Sequence, residues 1–112
     1  MQETSPESNP QKGLEQSLTK ESVIESLQMF PNDNSLLVAY VEQAQKLIQA
    51  SYVSREDTEI RQFKFNLELA EIYRDAGLTE NAADAYNDVA DYAERNGMDK
   101  ELAAILAELA KI

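Results

Sequence analysis

Carboxylates are the commonest side chains in this chain that could do chemistry. Asp84, Asp88, Asp91 and Glu94 recur every three or four residues, a spacing that lines them along one face of a helix. Such a stripe can meet a basic partner or loosely attract a divalent cation. Paired carboxylates can also do acid–base work when a cleft sets their pKa values apart. The inventory then stops. With no His and no Cys, the commonest general base, a thiol nucleophile and the usual structural zinc ligands are all missing. Gly13, Gly77 and Gly97 are isolated, so there is no Gly-rich phosphate loop. Asn32-Asp33-Asn34 is too short for the alternating oxygen ligands of a calcium loop. A solvated helix face is the better account of the stripe. No catalytic residue, cofactor or metal is expected, and a carboxylate-dependent enzyme is only a remote alternative.

The aromatic side chains are the next candidates for contact chemistry. Phe63, Tyr73 and Tyr86 stand at core spacing, whereas Tyr92 faces away from the line of Ala82, Tyr86 and Val89. Tyr92 and Tyr52 are therefore the expected exposed aromatics, a type that interfaces favour.

The elements that must position these residues are helical. The chain has 112 residues, 43% apolar and 28% charged, with only three Gly and three Pro. That is enough for one domain with one modest core. No apolar run approaches the ~18 residues of a membrane span. The first residues lack the basic patch and apolar core of a secretory leader, and cytoplasm is the default expectation. Twenty-one acidic against ten basic residues give a formal charge of −11. Nucleic acid and anionic membranes, which bind through Lys and Arg, are not expected partners.

Residues 1–18 contain Pro6, Pro10 and Gly13 among polar side chains and are expected to be a disordered tail. The helical domain is expected over 19–112. Apolar spacing predicts helices over about 20–29, 35–52 and 55–76, then one capped by Thr79 and stopped by Gly97, and one capped by Asp99. Thr19 or Ser17, Asn34 and Ser54 are the caps expected for the first three. Leu78 and Met98 each precede an expected cap and can staple onto the helix that follows. The third helix carries two adjacent apolar lines, the mark of a middle helix.

Internal similarity links these helices in pairs. Glu68-Leu69-Ala70-Glu71-Ile72 matches Glu108-Leu109-Ala110-Lys111-Ile112 at four of five positions, and Ala39-Tyr40 with Ala44 matches Ala85-Tyr86 with Ala90. The hairpin at 63–96 resembles the tetratricopeptide repeat (TPR), a helix–turn–helix unit of about 34 residues that stacks into solenoids. Leu69, Ala70, Tyr73, Gly77, Ala82 and Tyr86 stand where that family places its Leu, small, Tyr, Gly, Ala and aromatic residues. The family's closing proline and its Trp are absent, and Val89 stands where a late Ala is usual.

The resemblance implies an all-α, TPR-like array of about five antiparallel helices wound as a right-handed superhelix. It also implies a protein or peptide ligand on the concave surface of the first helices. Lys64, Leu67, Glu71 and Arg74 carry that surface here, and Tyr92 is added as a contact aromatic. Asp75 shares the surface, and the mixture does not resemble a Lys-, Arg- and Asn-rich carboxylate clamp. Between Leu102 and Ile112, nine of eleven residues are apolar, whereas a terminal repeat helix should show a polar outer face. Leu102, Ile105, Leu106 and Leu109 are thus expected to mediate self-association through the C-terminal helix. The expected function is a non-catalytic interaction module: an adaptor, small chaperone or assembly subunit. The alternative is a structural repeat fragment or a self-associating scaffold subunit of a larger assembly.

Overall fold

Periodic apolar residues punctuated by two glycines and several caps should give five helices. The structure, a computed structural model describing residues 18–112, has α1 (Lys20–Met29), α2 (Ser35–Ala50), α3 (Arg55–Asp75), α4 (Thr79–Arg95) and α5 (Asp99–Ala110). The described residues contain no strand. Apart from Leu18, the expected tail at 1–18 lies outside the described residues.

Local chemistry explains each start. Thr19 is extended, and its hydroxyl accepts from the Ser22 N–H at 3.1 Å while the Ser22 hydroxyl accepts from the Thr19 N–H at 3.0 Å. This reciprocal capping box satisfies two donors that a helix start otherwise leaves unpaired. Ser54 caps α3 in one direction only, accepting from the Asp57 N–H at 3.1 Å. Asp57 turns instead to Arg61, 2.8 Å away. For α2 the expected cap, Asn34, makes no side-chain bond. Asp33 takes the role from one residue earlier, accepting from the Ser35 N–H at 3.1 Å and from its hydroxyl at 2.6 Å.

Two near-identical junctions connect the last three helices. Gly77 (φ +83°) and Gly97 (φ +66°) adopt the left-handed conformation that glycine enters without a Cβ penalty. The next N–H closes each turn, Leu78 onto the Tyr73 carbonyl at 2.9 Å and Met98 onto the Ala93 carbonyl at 2.8 Å, the Schellman arrangement. Leu78 and Met98 then serve at once as N-caps of α4 and α5, without a side-chain bond. Thr79 and Asp99, expected as caps, are instead the first helical residues.

Burial divides between two clusters. Phe63, Ala70, Ala82, Tyr86, Val89, Ala90, Ala93 and Ile105 pack α3, α4 and α5 together. Val23, Leu27, Leu37 and Ile72 join α1 and α2 to α3, and the half-buried Tyr73 touches both clusters. The middle helix of the sequence is therefore the middle of the fold. The body measures 58 × 36 × 18 Å, and its least dimension is under two helix diameters.

Candidate functional site

Buried alanines bring α4 close to both α3 and α5. A cleft of about 230 Å³ is lined by Leu67, Glu71 and Arg74 of α3, Tyr86 of α4, and Glu101, Ala104, Ile105 and Glu108 of α5. Its floor is apolar and its rim is charged. Arg74 organises the rim, donating to the Tyr86 hydroxyl at 3.0 Å, to Glu108 Oε1 at 2.8 Å and, through Nε, to Asp75 Oδ1 at 2.9 Å. Lys111 reaches the other oxygen of Glu108 at 3.1 Å. From α1, Lys20 Nζ donates to Glu71 Oε1 at 2.9 Å. Two separate sets of polar contacts therefore tie α3 to its neighbours, one to α1 at Glu71 and one to α5 at Arg74.

These contacts set the local ionisation. The Lys20 pKa is raised by its hydrogen bond to Glu71, with burial opposing. Arg74 is held more firmly protonated, first by Asp75. Glu108 is lowered, first by its hydrogen bond to Lys111, with burial opposing, and then by Arg74. Burial raises Tyr86, and the nearby Arg74 charge only partly offsets it. Lys20, Arg74 and Lys111 are thus all already committed to carboxylates of this chain. Glu101 has no ion-pair partner among the described residues. The cleft can accept donors at Glu101 and apolar atoms on its floor, but no cation is spare for a ligand carboxylate.

The expected groove residues do not form one surface. Leu67, Glu71 and Arg74 share the cleft. Lys64 is exposed on another flank of α3, beside α2. Tyr92 is not a free aromatic: it stacks on Phe63, with ring centroids 5.2 Å apart and planes inclined by 28°, and packs against the core. Tyr52 is exposed.

The α5 row also divides. Ile105 is only 2% exposed and closes the cleft, and Leu102 and Leu109 lean on the same core. Their i, i+3, i+7 spacing turns these three inward. Leu106, one position off that row, is 50% exposed. The expected four-residue association face is reduced to this one leucine.

Lys20, Tyr86 and Glu108 enter the site without having been singled out for it. The short internal sequence matches carried a signal for two of them. Tyr40 and Tyr86 are equivalent, as are Glu68 and Glu108. In the first pair the Tyr40 hydroxyl donates directly to Glu68; in the second, Arg74 bridges hydroxyl and carboxylate.

Among the described residues, no group of three acidic side chains stands close enough to hold a metal ion, and no helix is long and apolar enough to cross a membrane. No protein-family model matches the chain, and no curated protein or solved structure matches it either.

Proposed function

We propose that this chain is a non-catalytic protein–protein interaction module, built as a TPR-like array of antiparallel helical hairpins, and that the α3–α5 cleft holds an extended segment of its partner. The observation that carries this reading is the repeated junction at Gly77 and Gly97. Two like turns are what successive hairpins would use, and in this reading α3 and α5 are the first helices, with the cleft between them lined by Tyr86 of α4. Peptide ligands suit such a cleft, since Leu67 and Ile105 offer apolar contact and Glu101 offers a free acceptor. A partner side chain ending in a donor, such as an amide, Lys or Arg, fits better than a carboxylate.

The test uses Ala104, which is exposed and lines the cleft, so that Ala104→Arg fills it without touching the core. Tagged full-length protein and this variant are compared in affinity capture, with circular dichroism as the folding control. A partner held by the wild type and lost by the folded variant supports the cleft. Equal capture by both removes it.

A second reading rests on Leu106, which stands half-exposed between the exposed residues Ala103 and Ala110, with Ile112 exposed beyond. Two copies meeting at this face would make the chain a self-associating scaffold. Light scattering across a concentration series should then show a dimer that Leu106→Glu dissociates with helicity kept. A monomer at every concentration would end that reading.

A further inference from the structure

α1 has 10 residues, against 16 in α2 and 21 in α3. It seats against the C-terminal part of α3, with Lys20 at Glu71 and Gln28 Nε2 donating to the Asp75 carbonyl at 2.9 Å. α4 packs on the N-terminal half of α3 through Tyr92 and Phe63, but toward α2 no helix among the described residues lies over that half or over the C-terminal half of α2. Between them runs an open groove of about 310 Å³, lined by Ala44, Leu47, Ile48, Arg61, Lys64 and Phe65. Leu47 is 63% exposed, and in the connection beyond it Tyr52 and Val53 are 63% and 73% exposed. Within the groove Ala44, Leu47, Ile48 and Phe65 lie together, and a contiguous apolar surface marks an interaction site more often than scattered exposed residues do.

Charge distinguishes this groove from the rest of the molecule. The chain as a whole carries −11, yet the charged side chains lining the groove are both cations, Arg61 and Lys64. Arg61 is paired with Asp57 at 2.8 Å. Lys64 is exposed and has no ion-pair partner among the described residues. Leucine-sized side chains over Leu47 and Phe65, with a carboxylate reaching Lys64, would satisfy both features. We propose that the α2–α3 groove binds a short segment of a partner protein carrying apolar residues and carboxylates. This surface is separate from the α3–α5 cleft, which lacks a spare cation, and the two stand or fall independently.

The net charge makes the test discriminating, because the field of an acidic protein favours cationic ligands. Two amphipathic peptides of about 12 residues serve as probes at about 50 mM salt, where such fields reach far. One is built of Leu, Ala and Glu, and the other carries Lys in place of every Glu. Full-length protein labelled with ¹⁵N should bind the Glu peptide more tightly, with amide shifts concentrated at Leu47, Ile48, Lys64 and Phe65. Lys64→Glu and Leu47→Ser, both at exposed positions, should each weaken it about five- to tenfold with the remaining spectrum unchanged. Preference for the Lys peptide, shifts centred on Arg74 and Glu108, or binding by both variants as tight as by the wild type would overturn the proposal. So would groove shifts on deleting residues 1–17 without peptide, which would make the chain's own N-terminal segment the occupant. Groove shifts on dilution alone would instead name a second copy.

Discussion

The α1–α2 pair and the α3–α5 unit use similar residues to opposite ends. In α3–α5, the contact positions are small: Ala70, Ala82, Ala90 and Ala93 are buried, and Tyr86 fills the space they leave. Small residues let backbones approach, so many atoms sit at contact distance and little apolar surface remains. In α1–α2 the buried set is Val23, Leu27, Leu37 and Ile48, while Met29, Phe30, Val38 and Leu47 stay exposed. Polar ties, Lys20 to Glu71, Gln28 to the Asp75 carbonyl and Tyr40 to Glu68, fasten this pair to α3. One half of the molecule uses its apolar side chains for stability. The other half leaves much of them available.

Substitutions in the two clusters should break this comparison apart. Tyr86→Ala empties the centre of the larger cluster and strands Arg74 and Glu108 without the hydroxyl between α3 and α5. A loss of about 3–5 kcal/mol is expected, as for other large aromatic truncations, and chemical denaturation should show the whole chain unfolding early. Leu27→Ala should cost about 2–3 kcal/mol but act locally. Amide exchange in α1 and α2 should accelerate while α4 stays protected, the behaviour of a unit that opens below the global transition. Equal acceleration in both halves would mean that the fold is one cooperative block.

Backbone strain gives a smaller and sharper contrast. A Cβ at Gly77 or Gly97 would meet nothing within 4 Å, so Ala there tests conformation alone. The Gly97 angle of +66° lies inside the left-handed well open to other residues, and the +83° of Gly77 lies outside it. Gly97→Ala should cost about 1 kcal/mol and Gly77→Ala nearer 2 kcal/mol. The reverse order in thermal melts would show that packing around the junctions matters more than the dihedral.

Much of this architecture was readable before any coordinates. The limits of α1, the middle position of α3 and both glycine turns follow from local rules that act within a few residues. The caps of α4 and α5 were misplaced because the Schellman turn hands its last residue directly to the next helix, leaving no room for a separate polar cap. Tyr92 was assigned outward from its place on α4 alone, whereas its orientation depends on Phe63, a ring 29 positions earlier. The Arg74 network spans 34 residues to Glu108, and spacing within one helix carries no information about such a partner. The inward row of α5 was present as Leu102, Ile105 and Leu109. Counting apolar residues around the whole helix hid it.

The smallest effect concerns acid, and it separates the two regions by the kind of tie each uses. Glu108 is held below its ordinary 4.5 by Lys111 first and Arg74 after it, and Asp33 below its ordinary 3.8 by the Ser35 hydroxyl and N–H. For each lowered carboxylate, the unfolded chain takes up the proton first as pH falls. The stability it contributes is complete above the unfolded value and disappears on descent through the folded value. Loss should therefore begin near pH 4.5 for Glu108, which bridges α3 and α5, and only near 3.8 for Asp33, which caps α2. Glu108→Gln should flatten the Tm profile from about pH 5 downward, and Asp33→Asn should alter it only from about pH 4 downward. Salt should shrink the Glu108 contribution more, because it depends on ion pairs that solvent still reaches and counterions screen. Asp33 bonds to neutral groups in its own turn and should respond little. Similar salt sensitivity in both variants would show that the charge between α3 and α5 is no more than the general field of an acidic protein.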